Sequence, residues 1–186
     1  MRELIARIYE TYNNRDDVKA ALSEYDANSE RIGEIGEVVW SDDHGLNEDE
    51  LAELQAEMDG LSQHNNELDK FRIPMVMEQD LTQEGTAFNP SVSYFIGADD
   101  IPFAEAVVSE AAIGAQAYSL VLLRMEEGAD VESAKAKIRE GADPMKWICA
   151  GVDPSDVIVD NIGDLVILIM FDNSKALHEA FLELAK

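Results

Sequence analysis

The chain has 186 residues, of which 46% are apolar, and a formal charge of -25 from 39 acidic and 14 basic side chains. This length and apolar content predict a folded domain with an appendage, and they exclude an acidic disordered tail. A surface of this sign repels phosphate groups, so nucleic acids and anionic lipid headgroups are excluded as partners. No apolar run reaches the ~18 residues that a transmembrane helix needs, so no membrane span is expected.

The first 70 residues predict three amphipathic helices. The first runs from Arg2 to Tyr12, the second is capped by Asn14 or Asp16, and the third begins with a capping box of Asn47 and Glu50. Their apolar stripes are Leu4, Ile5, Ile8 and Tyr12; Val18, Ala21, Leu22 and Tyr25; and Leu51, Leu54, Met58 and Leu61. The stretch 37–40 fits a short strand or a helical turn equally well.

The segment 14–70 is strongly acidic, with seventeen Asp and Glu residues against four Lys and Arg. We expect residues 1–70 to form an acidic helical subdomain that packs on an α+β core of residues 71–186. Asp26, Asn28, Glu30 and Glu37 fall at positions one, three, five and twelve of a calcium loop. Because Arg31 stands at position six, where the loop's sharp turn needs glycine, we reject this loop and predict no specific metal site or cofactor.

The middle of the chain gives weaker patterns. Residues 71–77 contain Pro74 and suit an edge strand or an extended connector. We predict a loop at 85–90, a strand at 91–96, and a helical turn or loop at 101–106. The stretch 104–117 is ambiguous between helix and strand.

The C-terminal third gives the clearest pattern, strand–helix–strand–strand–helix. Residues 119–125 and 165–171 are apolar throughout, which is typical of strands covered on both faces. The turn at 161–164 predicts an antiparallel hairpin between 157–160 and the last strand. We expect helices starting at Asp130 and Ser174 to lie on one face of the sheet. The fold class is therefore α+β, an antiparallel sheet with an acidic N-terminal helical appendage.

Cys149 is the only cysteine, which excludes an intramolecular disulfide and a cysteine-based metal knuckle. It lies in the apolar run 147–150, so we predict that its thiol is buried and chemically quiet. A nucleophilic role needs a positioned histidine, and the sequence favours none of the three that are available: His44, His64 and His178.

Four stretches carry a resemblance to a known family: AYSLVLLRM from Ala117, GADVE from Gly128, DPMKWIC from Asp143 and DNIGDLVILIM from Asp160. Over about 71–186, with the opening helix 3–12, the chain resembles a family of uncharacterised bacterial proteins that are secreted or lipid-anchored lipoproteins of unknown function. The resemblance implies a small α+β fold and an extracellular or envelope location, with a signal segment upstream of Met1; a cytoplasmic location is the alternative. It implies no activity and no catalytic residues.

The sequence contains no P-loop, G-x-S-x-G, H-E-x-x-H or G-x-G-x-x-G motif. We therefore predict a non-enzymatic binding or interaction module with a protein or small-molecule partner. The alternative is a carboxylate- or cation-dependent hydrolase. Asp143 and Trp147 each have a structural interpretation: Asp143 is expected to cap a short helical turn that starts at Pro144, and Trp147 is expected to lie in the core. An exposed Trp147 beside Asp143 and Lys146 would instead make these three residues a binding-site candidate.

Overall fold

The computed structural model describes residues 1–41, 43–81 and 91–186. The chain divides into two compact units, one formed by 1–13 with 73–186 and the other by 14–72. The first helix therefore belongs with the α+β unit, whereas the sequence-based division had placed it in the acidic one. Docking of the acidic segment on the core stays a prediction.

The α+β unit is built on one five-stranded antiparallel sheet, which confirms the predicted fold class. Its strands are β1 (Val76–Asp80), β2 (Phe103–Ala111), β3 (Ser119–Met125), β4 (Val157–Ile162) and β5 (Leu165–Met170), in the spatial order β1-β2-β3-β5-β4. Its helices are α1 (Arg2–Asn13), α4 (Val92–Ile96), α5 (Val131–Gly141) and α6 (Ser174–Leu182). Short 3-10 helices cover Pro154–Asp156 and Glu183–Ala185.

The predicted C-terminal hairpin is present, with Val159 directly opposite Leu168 on β5. Its turn is held by Asn161, whose side-chain amide donates a 2.9 Å hydrogen bond to the carbonyl of Gly163. Gly163 has a φ of 60°, a left-handed conformation that glycine adopts without steric cost. At the opposite edge, β1 begins at Val76, so of the stretch 71–77 only the last two residues belong to an edge strand, and residues 72–75 connect it to the preceding 3-10 helix.

The prediction that α5 and α6 share one face of the sheet is wrong. Ala134 and Ile138 of α5 pack in the same cluster as Val121, Val166 and Leu168. Helix α6 packs against α1, and its buried side chains lie outside that cluster, on the other face. Every residue of β5 is buried, so the apolar run has no alternation that could reveal which face each helix covers.

Two central predictions also need correction. Residues 92–96 form helix α4 and not a strand, because Val92, Phe95 and Ile96 are buried at helical spacing and Gly97 ends the helix with a φ of 67°. The region from Phe103 is strand β2, not a helical turn or loop, and it continues to Ala111 by pairing with β3. The predicted loop at 85–90 lies outside the described residues.

The acidic unit contains helices α2 (Asp16–Val39) and α3 (Glu48–Leu68), followed by a 3-10 helix at Asp69–Phe71. The capping box at Asn47 is confirmed. The stretch 37–40, for which the sequence allowed a strand or a helical turn, forms the C-terminal end of α2, with Trp40 as its C-cap. The two helices pack together and are linked by an ion pair from Arg31 to Glu57 at 2.8 Å. A buried amide, Asn65, accepts a 2.9 Å hydrogen bond from Asn28.

The rejected calcium loop falls inside α2, so its oxygen-bearing side chains are spread along a continuous helix and do not surround one point. Among the residues that the structure describes, no helix is long and apolar enough to cross a membrane.

Candidate functional site

The loop between α5 and the 3-10 helix at Pro154 carries the three candidate residues Asp143, Lys146 and Trp147. Three hydrogen bonds shape this loop. The Asp143 carboxylate accepts from the Met145 amide at 2.9 Å, and the Val152 amide donates to the Pro144 carbonyl at 2.9 Å. The Ile148 amide donates to the Gly114 carbonyl at 3.1 Å, which ties the loop to the β2–β3 connection.

Lys146 attaches the loop to the sheet. Its side chain is only 10% exposed, and its ammonium group forms an ion pair with Glu110, which is 20% exposed. The ammonium also donates a 3.4 Å hydrogen bond to the hydroxyl of Ser119. Glu110 and Ser119 are directly opposite each other on β2 and β3, so the sheet presents both acceptors at one place.

Three aromatic rings surround the same ammonium group. Its nitrogen lies 5.1 Å from the ring centroid of Trp147, 5.3 Å from that of Phe95 and 5.9 Å from that of Tyr94. A cation within about 6 Å of an aromatic face is attracted by the ring quadrupole. Lys146 is thus held by one carboxylate, one hydroxyl and three rings, which joins α4, β2, β3 and the loop.

Burial lowers the pKa of Lys146, and the neighbouring carboxylate of Glu110 opposes this effect only in part. A buried lysine with a lowered pKa beside a serine is the arrangement of a serine–lysine nucleophile pair. Here, however, Ser119 is completely buried, and its hydroxyl cannot meet a substrate. The ammonium is already committed to Glu110, so the arrangement fits an anchor for the loop and not a catalytic pair.

The apolar run 147–150 is more exposed than the sequence predicts. Cys149, predicted to be buried, is exposed and has a φ of 59°. Ile148 is 75% exposed, whereas Trp147 is half-buried and packs on the sheet cluster. The physical reason is the Lys146 anchor: with Lys146 and Trp147 turned towards the sheet, the next two side chains face solvent.

Exposed apolar side chains gather around this anchor. Among residues 1–41, 43–81 and 91–186, nine large apolar residues are exposed, and six of them lie in the segments that meet here. We define these six as the methionine surface: Met75, Met77, Tyr94, Ile113, Met145 and Ile148.

Backbone pairing brings the six together. Met77 is opposite Glu110, so its side chain lies on the same face of the sheet as the carboxylate that binds Lys146. The Ala112 amide donates to the Met75 carbonyl at 2.8 Å, which places Met75 beside Ile113. Ile113 precedes Gly114, the residue bonded to Ile148, and Tyr94 reaches Lys146 through its ring. The six residues therefore lie on segments that are neighbours in the structure, from the start of β1 to the loop.

The three histidines all have other partners. His64 bonds the carboxylate of Glu24 at 2.9 Å, His178 bonds that of Asp160 at 2.7 Å, and His44 accepts from the Leu46 amide at 3.0 Å. None of these contacts involves Cys149. Over residues 1–41, 43–81 and 91–186, no group of three or more His, Cys, Asp and Glu side chains is arranged to hold a metal ion.

Comparison of the chain with protein-family models, with curated proteins and with solved structures finds no match. The sequence named Asp143, Lys146 and Trp147 as candidates, whereas Glu110, Ser119, Met75 and Met77 were missed. No local sequence pattern marks these residues, because the ion pair joins Lys146 to Glu110 over 36 positions of the chain.

Proposed function

We propose that this chain is a non-enzymatic protein-binding module and that the methionine surface contacts the partner. The observation that carries the proposal is the concentration of six exposed large apolar side chains around one buried ion pair, out of nine in the part of the chain that the structure describes. Contiguous exposed apolar surface on a soluble protein is typical of an interaction site. Methionine suits this role because its flexible, polarisable side chain adapts to different partner surfaces.

The exposure of these side chains favours a macromolecular partner over a small molecule. Ile148, Met145 and Tyr94 are 75%, 66% and 59% exposed, so they project from the surface and do not line an enclosed cavity. Small ligands are bound in concave sites that bury most of their surface. The Lys146 anchor fixes the loop before binding, which reduces the entropy that a partner must remove on association.

We further propose that the protein acts at the cell envelope or outside the cell. The support is the resemblance of 71–186 to secreted and lipid-anchored bacterial proteins. Fractionation of cells that express the full native gene with a C-terminal tag tests this location. Recovery in the envelope or the medium is expected, and recovery in the cytoplasmic fraction alone would overturn it.

Site-specific photo-crosslinking tests the binding function. A photoreactive phenylalanine replaces Ile148 in one variant and Lys175, an exposed residue of α6, in a matched control. We expect a specific crosslinked protein at Ile148 and none at Lys175. That protein is then purified, and its affinity for the wild type is compared with that for a Met145→Ser, Ile148→Ser double variant.

A loss of at least tenfold in affinity is expected, equivalent to about 1.4 kcal/mol. Equal crosslinking at the two positions, or unchanged affinity of the double variant, would overturn the proposal. Both substituted side chains are exposed, so the variant should unfold at the same denaturant concentration as the wild type. Circular dichroism checks this before binding is measured.

A further inference from the structure

We propose that the partner of the methionine surface is a cationic amphipathic peptide segment of another protein. This inference rests on the proposed function and names the chemistry of the partner. A segment of this kind presents apolar side chains on one side and Lys or Arg on the other. Such segments bind apolar surfaces of acidic proteins by combining hydrophobic contact with charge attraction.

The charge of the segments around the methionine surface is the first reason to expect a cationic partner. The α+β unit contains 22 Asp and Glu against 9 Lys and Arg. None of those nine lies in 73–123, and Lys146 is the only one in 140–174, so the segments that form the surface contribute one basic residue. Because Lys146 is buried and paired with Glu110, its charge is neutralised inside the anchor. An approaching cationic segment therefore meets an apolar patch within a negative field.

The same charge argues against two other occupants. A second copy of the chain would bring another formal charge of -25 to the contact. Like charges oppose each other across an interface, which disfavours self-association. An anionic membrane is repelled for the same reason. A positively charged protein segment gains from the field that these occupants must overcome.

The side chains at the surface fit the two faces of such a segment. Met75, Met77, Met145 and Ile148 can pack against its apolar residues. Tyr94 is 59% exposed and offers an aromatic ring at the edge, where the methylene stem of a lysine or arginine can lie and its charge can approach the ring. Asp143 is exposed in the same loop and supplies a carboxylate for a basic side chain.

Three synthetic 18-residue peptides test the inference on the full chain. The first places Leu and Lys at the spacing of an amphipathic helix. The second has the same composition in an order that mixes the two faces, and the third replaces every Lys of the first by Glu. Each carries a fluorescent label, and binding is followed by anisotropy at low and high salt.

We expect the first peptide to bind at least tenfold more tightly than the other two, and its binding to weaken when salt rises. Met145→Ser, Ile148→Ser should reduce the affinity at least tenfold, and Met77→Ser should reduce it severalfold. Leu182→Ser, at an exposed apolar residue of α6, is the matched control and should have no effect.

Equal binding of the first and third peptides would overturn the charge requirement, and equal binding of the first and second would show charge attraction without an apolar face. Either result contradicts the inference about the partner's chemistry but leaves the proposed protein-binding function supported by the crosslinking experiment. Binding that ignores the surface variants also overturns it. Two further results would do so: sedimentation showing a dimer that Ile148→Ser dissociates, or binding of the surface to phosphatidylcholine vesicles. Failure of the crosslinking experiment instead removes the proposed function itself.

Discussion

Lys146 and Glu110 form an ion pair that fixes the loop of the methionine surface to strand β2. The two residues are 36 positions apart in the chain, and both side chains are largely shielded from water. Their burial makes each dependent on the other, since a buried charge without a partner is strongly unfavourable. Lys146 depends more on this pair than Glu110 does, because Glu110 is 20% exposed and can reach water, whereas the other neighbours of Lys146 are three aromatic rings, one hydroxyl and the carboxylate of Asp143.

We predict that Glu110→Gln destabilises the α+β unit by about 3 kcal/mol, because it leaves the Lys146 ammonium buried without a counter-charge. Lys146→Met should cost less, since the freed Glu110 carboxylate is 20% exposed and can reach water. The double variant Glu110→Gln, Lys146→Met should be more stable than Glu110→Gln alone, because it no longer contains the buried, unpaired ammonium. Urea unfolding, followed by Trp147 fluorescence in a Trp40→Phe background, measures all three. Glu110→Gln within 0.5 kcal/mol of the wild type, roughly the effect of an ordinary surface substitution, would contradict the anchor.

The exposed thiol of Cys149 gives a second prediction. In the native protein, a disulfide-based thiol reagent should label it at a rate within about tenfold of the rate in urea, because accessibility does not limit the reaction. As the only cysteine, it needs no background substitution. Binding of the cationic peptide should slow the labelling, since Cys149 adjoins Ile148. Native labelling slower by three orders of magnitude would show that the thiol is covered.

The sequence predicted the strands and helices of the C-terminal third, but neither the faces that α5 and α6 cover nor the burial pattern of the loop, because only the former are encoded locally. The hairpin at 157–170 is encoded locally, by apolar runs and a turn whose partners are neighbours in the chain. The burial of Lys146 depends on Glu110 and Ser119, which are 36 and 27 positions away. The residues next to Lys146 in the chain do not indicate that its side chain turns towards the sheet. In the structure, these distant acceptors bind it there, and Ile148 and Cys149 face the solvent as a consequence.

The error at 92–96 has a related origin. The predicted strand 91–96 has six residues, too few to separate period two from helical spacing, and its partial alternation favoured a strand. What decides the outcome is Gly97, which ends α4 in a left-handed conformation and lies against Gly141 at the end of α5. That close approach is a tertiary feature, and no property of 92–96 indicates it.

The contact between Gly97 and Gly141 supports a third prediction. A Cβ atom added at Gly97 would lie 1.7 Å from the Gly141 carbonyl oxygen, and one added at Gly141 would lie 2.0 Å from the Gly97 oxygen. Gly97→Ala therefore combines steric overlap with the cost of a left-handed backbone. Gly163→Ala is the matched control, because it has a similar φ of 60° and no atom within 4 Å of the added Cβ.

We expect Gly163→Ala to cost about 1–2 kcal/mol from the backbone conformation alone. Gly97→Ala should cost at least about 2 kcal/mol more, since the backbones of α4 and α5 must separate. Denaturant unfolding of the two variants gives the difference directly. Equal losses would mean that the two segments move apart freely and that no close packing exists there.

A fourth prediction concerns Tyr9 of α1 and Tyr118, whose hydroxyl groups are hydrogen-bonded to each other. The Tyr118 hydroxyl donates to Tyr9 at 2.7 Å, and Tyr9 donates to the Ser109 hydroxyl at 2.7 Å. Burial raises the pKa of Tyr9 to about 12 and holds that of Tyr118 well above its ordinary value of 10.0. Above pH 10 the unfolded chain loses phenolic protons that the folded chain retains, so the free energy of unfolding must fall as pH rises.

Tyr9 should contribute a loss of up to about 1.4 kcal/mol per pH unit between pH 10 and 12, and Tyr118 should add a loss that begins above pH 10. Tyr9→Phe removes one ionising group, so its stability should decrease less steeply with pH than that of the wild type. Urea unfolding at pH 9, 10 and 11 compares the two slopes. Parallel slopes would show that Tyr9 ionises equally in both states.

The last prediction concerns the acidic unit of α2 and α3 and its dependence on salt. Like charges stand four residues apart along both helices, as at Asp26 and Glu30 on α2 and at Glu53 and Glu57 on α3. Each such pair destabilises a helix by about 0.2–0.5 kcal/mol, and salt screens it because the side chains are exposed. Hydrogen exchange measured by mass spectrometry should therefore slow in 16–39 and 48–68 when NaCl rises from 20 to 500 mM. The buried strands 119–125 and 165–170 provide the internal control, with little change expected. Glu30→Gln with Glu53→Gln should reduce the salt effect, and an equal response of helices and strands would show that repulsion within the acidic unit is not its cause.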